Sequence, residues 1–100
     1  MVTYEVNAAI ADPAVAARYE EYMRTHHLRD VLASGCFVEA HLEKTGEGQF
    51  RTRYIAQSQA DVDRYLADHT AKLRADFNAN FPTGVTQSRN VWTELATRHR

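Results

Sequence analysis

Val2, Tyr4, Val6, Ala8 and Ile10 alternate with Thr3, Glu5 and Asn7 at the head of the chain. A period of two predicts a strand with one apolar face. Asp12-Pro13 reads as a helix N-cap followed by a first-turn proline, so a helix is expected from Pro13 to His26 or slightly beyond. Its apolar ridge is Val15, Tyr19, Met23, His27 and Val31, each four residues from the last. A kink or short second helical piece is expected near His27–Leu32. Ser34-Gly35 ends it, with glycine as the left-handed cap.

Cys36, Val38, Ala40 and Leu42 then alternate with Phe37, Glu39 and His41, predicting a second strand. Thr45-Gly46-Glu47-Gly48 reads as a hairpin turn. The third strand runs from Phe50 through Gln57, with Phe50, Thr52, Tyr54 and Ala56 on one face and Arg51, Arg53, Ile55 and Gln57 on the other. Ser58 with Asp61 resembles a capping box. A second helical region extends to about Asn80, with a break near His69-Thr70 and a ridge of Val62, Leu66, His69, Leu73, Phe77 and Phe81. Val85 through Leu95 reads as the last strand, and Thr97–Arg100 as a tail.

The order strand, helix, strand, strand, helix, strand is the ferredoxin-like, split β-α-β arrangement of the α+β class. One domain spans the 100 residues. Right-handed crossovers place both helical regions on one face of a four-stranded antiparallel sheet and leave the other face open. The covered face takes Val2, Tyr4, Val6, Ala8, Cys36, Val38, Ala40 and Leu42. The open face takes Thr3, Glu5, Asn7, Phe37, Glu39 and His41, joined by Arg51, Arg53 and Ile55 if Phe50, Thr52 and Tyr54 turn to the helices. Strand four adds either Trp92 or Val91 with Leu95. Such a face is hard to leave wet, so a homodimer is expected, with Phe37, Glu39, His41, Arg51, Arg53 and Ile55 at its interface. A solvated face with ion pairs, or a base-stacking platform, are the other readings. The segment Gly48–Tyr54 lacks the basic, glycine-aromatic signature of the RNA-recognition module.

Charge narrows the partners. A net charge of −1 with interspersed signs argues against a nucleic-acid stripe or a polybasic membrane patch. No apolar run approaches the roughly 20 residues of a membrane span. The single cysteine, Cys36, forms no internal disulfide, and a cytoplasmic home is expected.

Candidate chemistry rests on few residues. His27 and His69 each interrupt an apolar ridge. If both ridges face one cleft, two imidazoles converge there, and histidine titrates near neutral pH. Cys36, at a strand start, reads as a buried thiol or a ligand contact. Tyr54, Arg53 and Arg74 suit an acidic or aromatic ligand. His26 and Asp30 are spaced i, i+4, but no third ligand has metal-site spacing, so neither a metal site nor a cofactor is expected.

The segment His27-Leu28-Arg29-Asp30-Val31-Leu32-Ala33-Ser34-Gly35-Cys36-Phe37 resembles a motif of a small bacterial family of unknown function. So do Tyr65-Leu66-Ala67-Asp68-His69, Leu73-Arg74, Tyr4-Glu5-Val6 and Ser88-Arg89, and the likeness covers nearly the whole chain. That family resembles the dimeric α+β barrel superfamily. The resemblance implies a homodimer pairing its open sheet faces, with a cavity between each sheet and its helices. His27, Cys36 and His69 match the family's motif. Asn7 resembles an asparagine of haem-degrading members, but their helix tryptophan has no counterpart, since Trp92 lies on the last strand. The expected function is binding of a small organic molecule in a cleft lined by His27, Tyr54 and His69. The alternatives are a monooxygenase-like or isomerase-like enzyme using a cleft histidine, and a non-catalytic regulatory module.

Overall fold

A computed structural model describes residues 1–100. Four antiparallel strands, β1 (Val2–Ala9), β2 (Glu39–Gly46), β3 (Gln49–Ala56) and β4 (Thr86–Thr93), form one sheet in the order β2-β3-β1-β4. The intervening helices are α1 (Pro13–Tyr22), α2 (Leu28–Leu32), α3 (Gln59–Asp68) and α4 (Thr70–Asn80), with a π-helical segment at Met23–His27 joining α1 to α2. This is the expected ferredoxin-like fold. No helix is long and apolar enough to cross a membrane.

The caps form where the side chains dictate. Asp12 Oδ1 accepts from the Ala14 amide at 2.9 Å, and Ser58 Oγ accepts from the Asp61 amide at 3.3 Å. The hairpin between β2 and β3 closes on Gly48, whose φ of +64° is the left-handed region. The Gly48 carbonyl also accepts from the Ile10 amide at 2.7 Å, tying the hairpin to the end of β1.

The first ridge explains the π-helical segment. An α-helix turns 100° per residue, so a strict spacing of four drifts about 40° at each step. Over Val15 to Val31 that drift would carry the last residues off the sheet. The wider turn at Met23–His27, closed by Leu28 N–H donating to the Met23 carbonyl, takes up the difference. Tyr19, Met23 and Val31 are all buried.

Beneath the helices the core has two parts. One gathers Val2, Tyr4, Val31, Tyr54, Val62 and Tyr65, and the other Ala8, Tyr19, Met23, Phe50, Phe77 and Phe81. β3 resolves its ambiguity: Phe50, Thr52, Tyr54 and Ala56 are buried under the helices, so Arg51, Arg53 and Ile55 face the open side. The register then pairs Thr3 with Ile55 and with Trp92, which puts Trp92 on the open face and Val91 on the covered one.

Two expectations need correction. The chain bends at Val38 before β2 begins at Glu39, so alternation fails over Cys36–Val38. Phe37 therefore packs among Tyr4, Tyr54 and Tyr65 in the core instead of joining the open face, and Val38 is exposed. In the second helical region Tyr65, not Leu66, is buried. The break at His69 (φ −121°, ψ −30°) resets the phase, so α4 buries Thr70, Leu73 and Phe77.

Candidate functional site

α3 and α4 do not close down on β4. Between α4, the π-helical segment and the sheet lies a cleft of about 220 Å³. Its floor is Tyr4 and Val6 of β1, Tyr54 of β3, and Gln87 and Arg89 of β4. Its walls are Met23 and His27 on one side and Thr70, Leu73, Arg74, Phe77 and Asn78 of α4 on another, with Tyr65 of α3 at one end.

His27 reaches this cleft because it closes the π-helical segment. Its ring sits between Tyr22 and Phe77, at centroid distances of 5.8 and 5.9 Å. Nδ1 is buried and has no hydrogen-bond partner. Burial lowers the His27 pKa below the ordinary histidine range, against the raising pull of Asp30 and Asp76 and with a small further push from Arg89. The ring is therefore neutral at pH 7, with one nitrogen free to accept a proton or hydrogen bond. Thr70 Oγ1, also in the cleft lining, is buried beside the Tyr65 phenol and makes no well-formed hydrogen bond. Burial pushes the Tyr54 phenol well above its ordinary range and the Tyr65 phenol up to about 12, so both present neutral hydroxyls at physiological pH.

The sequence-stated candidates separate. His27 and Tyr54 meet in the cleft. His69 does not: it ends α3, stacks on the outer side of Tyr65 at 6.3 Å, and faces a shallow groove with Asp30, Asp68 and Asp76. The helix break turns it away, so two imidazoles do not converge. Cys36 is buried in the core next to Ser34 and does not line this cleft. Arg74 lines the cleft, whereas Arg53 lies on the other side of the sheet. No three His, Cys, Asp or Glu side chains gather as a metal site. Arg89, Gln87 and Thr70 were not singled out as site residues.

Glu39, His41, Arg51, Arg53 and Ile55 all sit on the open face, as expected. There Glu43 accepts from Arg51 Nε and Arg53 Nε, each at 2.9 Å, and from Arg53 Nη2 at 3.2 Å. These bonds hold the Glu43 carboxyl down at about 2. His41 Nε2 and Glu39 Oε2 are 3.0 Å apart. Asn7 donates to Glu5 at 3.0 Å on this same face, remote from the cleft. Glu5 is only 7% exposed although nothing but side chains covers it.

Solved structures share the fold at low identity. A cofactor-independent oxygenase, SnoaB from Streptomyces nogalater, is similar with a TM-score of 0.72 and 15% identity over 96% of this chain and 94% of that one. A putative antibiotic biosynthesis monooxygenase from Nitrosomonas europaea gives 0.70 at 10% identity, covering 96% of this chain and 100% of that one. A dimeric ferredoxin-like protein from an uncultured marine organism gives 0.73 at 7% identity, with all of both chains covered. No curated protein matches the sequence. Residues 1–95 match the model of DUF4286, a domain of unknown function, and the chain belongs to that family.

Proposed function

We propose that this protein is a homodimer that binds a small organic molecule in the cleft between α4 and the sheet. The observation that carries this reading is that two buried atoms of the cleft lining, His27 Nδ1 and Thr70 Oγ1, make no well-formed hydrogen bond. A buried unpaired polar group costs about 1–3 kcal/mol. An occupant of the cleft supplies the missing partners. The terminal torsion of histidine is soft, so a modest ring turn presents Nδ1 to the space. The rings of Tyr4, Tyr54 and Phe77 favour a planar molecule.

The open face supports the dimer. Ile55 and Trp92 flank Thr3 on either side, and Trp92 is 42% exposed. The charged groups beside them are already paired, so covering them costs less than burying free ions. The fold shared with a protein described as dimeric points the same way. Sedimentation at micromolar concentration should report a dimer, and Ile55→Glu should shift it to the monomer. A wild-type monomer would contradict the pairing. The free, buried Cys36 supports a reducing, cytoplasmic setting.

A second reading, catalysis, is favoured by the neutral His27 ring. An imidazole kept uncharged beside a cleft is suited to take a proton from an acidic hydroxyl or carbon. The shared fold with a cofactor-independent oxygenase is compatible with that role, although fold alone does not assign chemistry.

Calorimetric titration with a panel of small planar compounds, wild type against His27→Phe, tests the binding reading. Phenylalanine keeps the ring contacts with Tyr22 and Phe77 and removes the orphaned nitrogen, so the variant should be at least as stable. Binding heat in the wild type and its loss in His27→Phe is the expected result. A wild type that binds no member of the panel, or a variant that binds equally well, would refute it.

A further inference from the structure

The chain has 12 lysines and arginines against 13 acids. Arg24, Arg29, Lys44, Arg51, Arg53 and Arg64 each have a carboxylate within 4.0 Å. Arg18, Lys72, Arg74, Arg89, Arg98 and Arg100 have none, and of these Arg74 and Arg89 line the cleft that holds His27. No aspartate or glutamate lines that cleft. In an almost neutral protein this is a local excess of positive charge at one concavity.

Arg89 is the more telling of the two. It stands opposite Val6 on the covered side of β4, between Gln87 and Val91. Its Nη2 donates to Gln87 Oε1 at 3.0 Å, so another cleft residue orients the guanidinium. Its charge acts on Tyr19, His27, Tyr54 and Tyr65. Arg74, one α4 position beyond Leu73, acts on Tyr65 from the helix side. Two cations therefore flank a wall of rings from opposite sides, with their hydrogen-bonding capacity largely unused.

We infer that the ligand is a small aromatic carboxylate, its carboxylate held by Arg74 and Arg89 and its ring laid against Tyr4, Tyr54 and Phe77. The inference rests on the cleft being the ligand site. Guanidinium and carboxylate match in charge and in planar geometry. A volume of about 220 Å³ lies below the range of drug-sized pockets and admits one or two fused rings. Both arginines are exposed at the mouth, so the attraction weakens with added salt.

Naphthoate and its neutral amide, naphthamide, are the probes, titrated calorimetrically into wild type, Arg74→Gln, Arg89→Gln and His27→Phe. Naphthoate should bind about ten-fold more tightly than naphthamide, a difference of one decade in Kd. Each arginine variant should lose most of that advantage and leave naphthamide affinity unchanged. If the two probes bind wild type equally, or the arginine variants keep full naphthoate affinity, the carboxylate assignment falls. Loss of both probes in His27→Phe would then still uphold the cleft as the site. If neither probe nor any other planar compound binds wild type, the cleft reading falls and this inference falls with it.

Discussion

Glu43 shows how a single side chain ties the open face together. It accepts hydrogen bonds from both Arg51 and Arg53, and its carboxyl is lowered to about 2. A carboxyl that is more acidic in the folded state adds stability above its unfolded pKa, and that stability is lost as pH falls toward the folded value. The window here runs from about pH 4.5 down to about pH 2. Glu43 is 34% exposed, so solvent screening limits the contribution to about 1 kcal/mol. Glu43→Gln should therefore destabilise the protein modestly at pH 7 and make no difference below about pH 2. Urea unfolding of both proteins across that range checks it, and a pH-independent difference would contradict the ion-pair account. His27 works the opposite way. Its lowered pKa means the unfolded chain takes up a proton that the folded one refuses, so stability falls as pH drops below the ordinary histidine value.

At the scale of elements, Gly48 is the position with least tolerance. Its φ is +64°, and a Cβ there would lie 2.1 Å from the Ile10 carbonyl oxygen. The same residue's carbonyl accepts from the Ile10 amide. Gly48→Ala should cost more than about 2 kcal/mol, from left-handed strain and a backbone clash together. A melting temperature unchanged from wild type would show that the hairpin tie is dispensable. The elements themselves were largely legible, because β1 and β3 alternate cleanly and Asp12 and Ser58 announce the helix starts. Phe37 was misplaced because alternation cannot register a bend, and the chain bends at Val38 before β2 pairs. The α3–α4 break near His69 was visible in the chain. Its rotation of the phase, which sets what α4 buries and turns His69 outward, was not. The spacing of four along Val15–Val31 contained the π-helical segment in plain form, since no unbroken α-helix keeps that ridge on one side.

For the whole molecule, the sheet separates two sets of polar chemistry. On the open side the charges pair among themselves around Glu43, beside Ile55 and Trp92. On the covered side, helices leave β4 partly free, and the gap collects a neutral histidine, two unpaired arginines and a set of rings. The sequence placed His27 and His69 on helical ridges that could face one cleft, but only His27 lines it, together with Tyr54 of β3. Arg89 was out of reach, because which side of β4 faces the helices follows only from its register with β1. The site is thus a tertiary product of α4, the π-helical segment and an edge strand. Its most direct test is ring-nitrogen NMR of the histidines during a naphthoate titration. The account predicts that the His27 nitrogens shift while those of His69 in the outer groove and His41 on the open face stay in place. Binding that moves His69 or His41 and leaves His27 unmoved would contradict it.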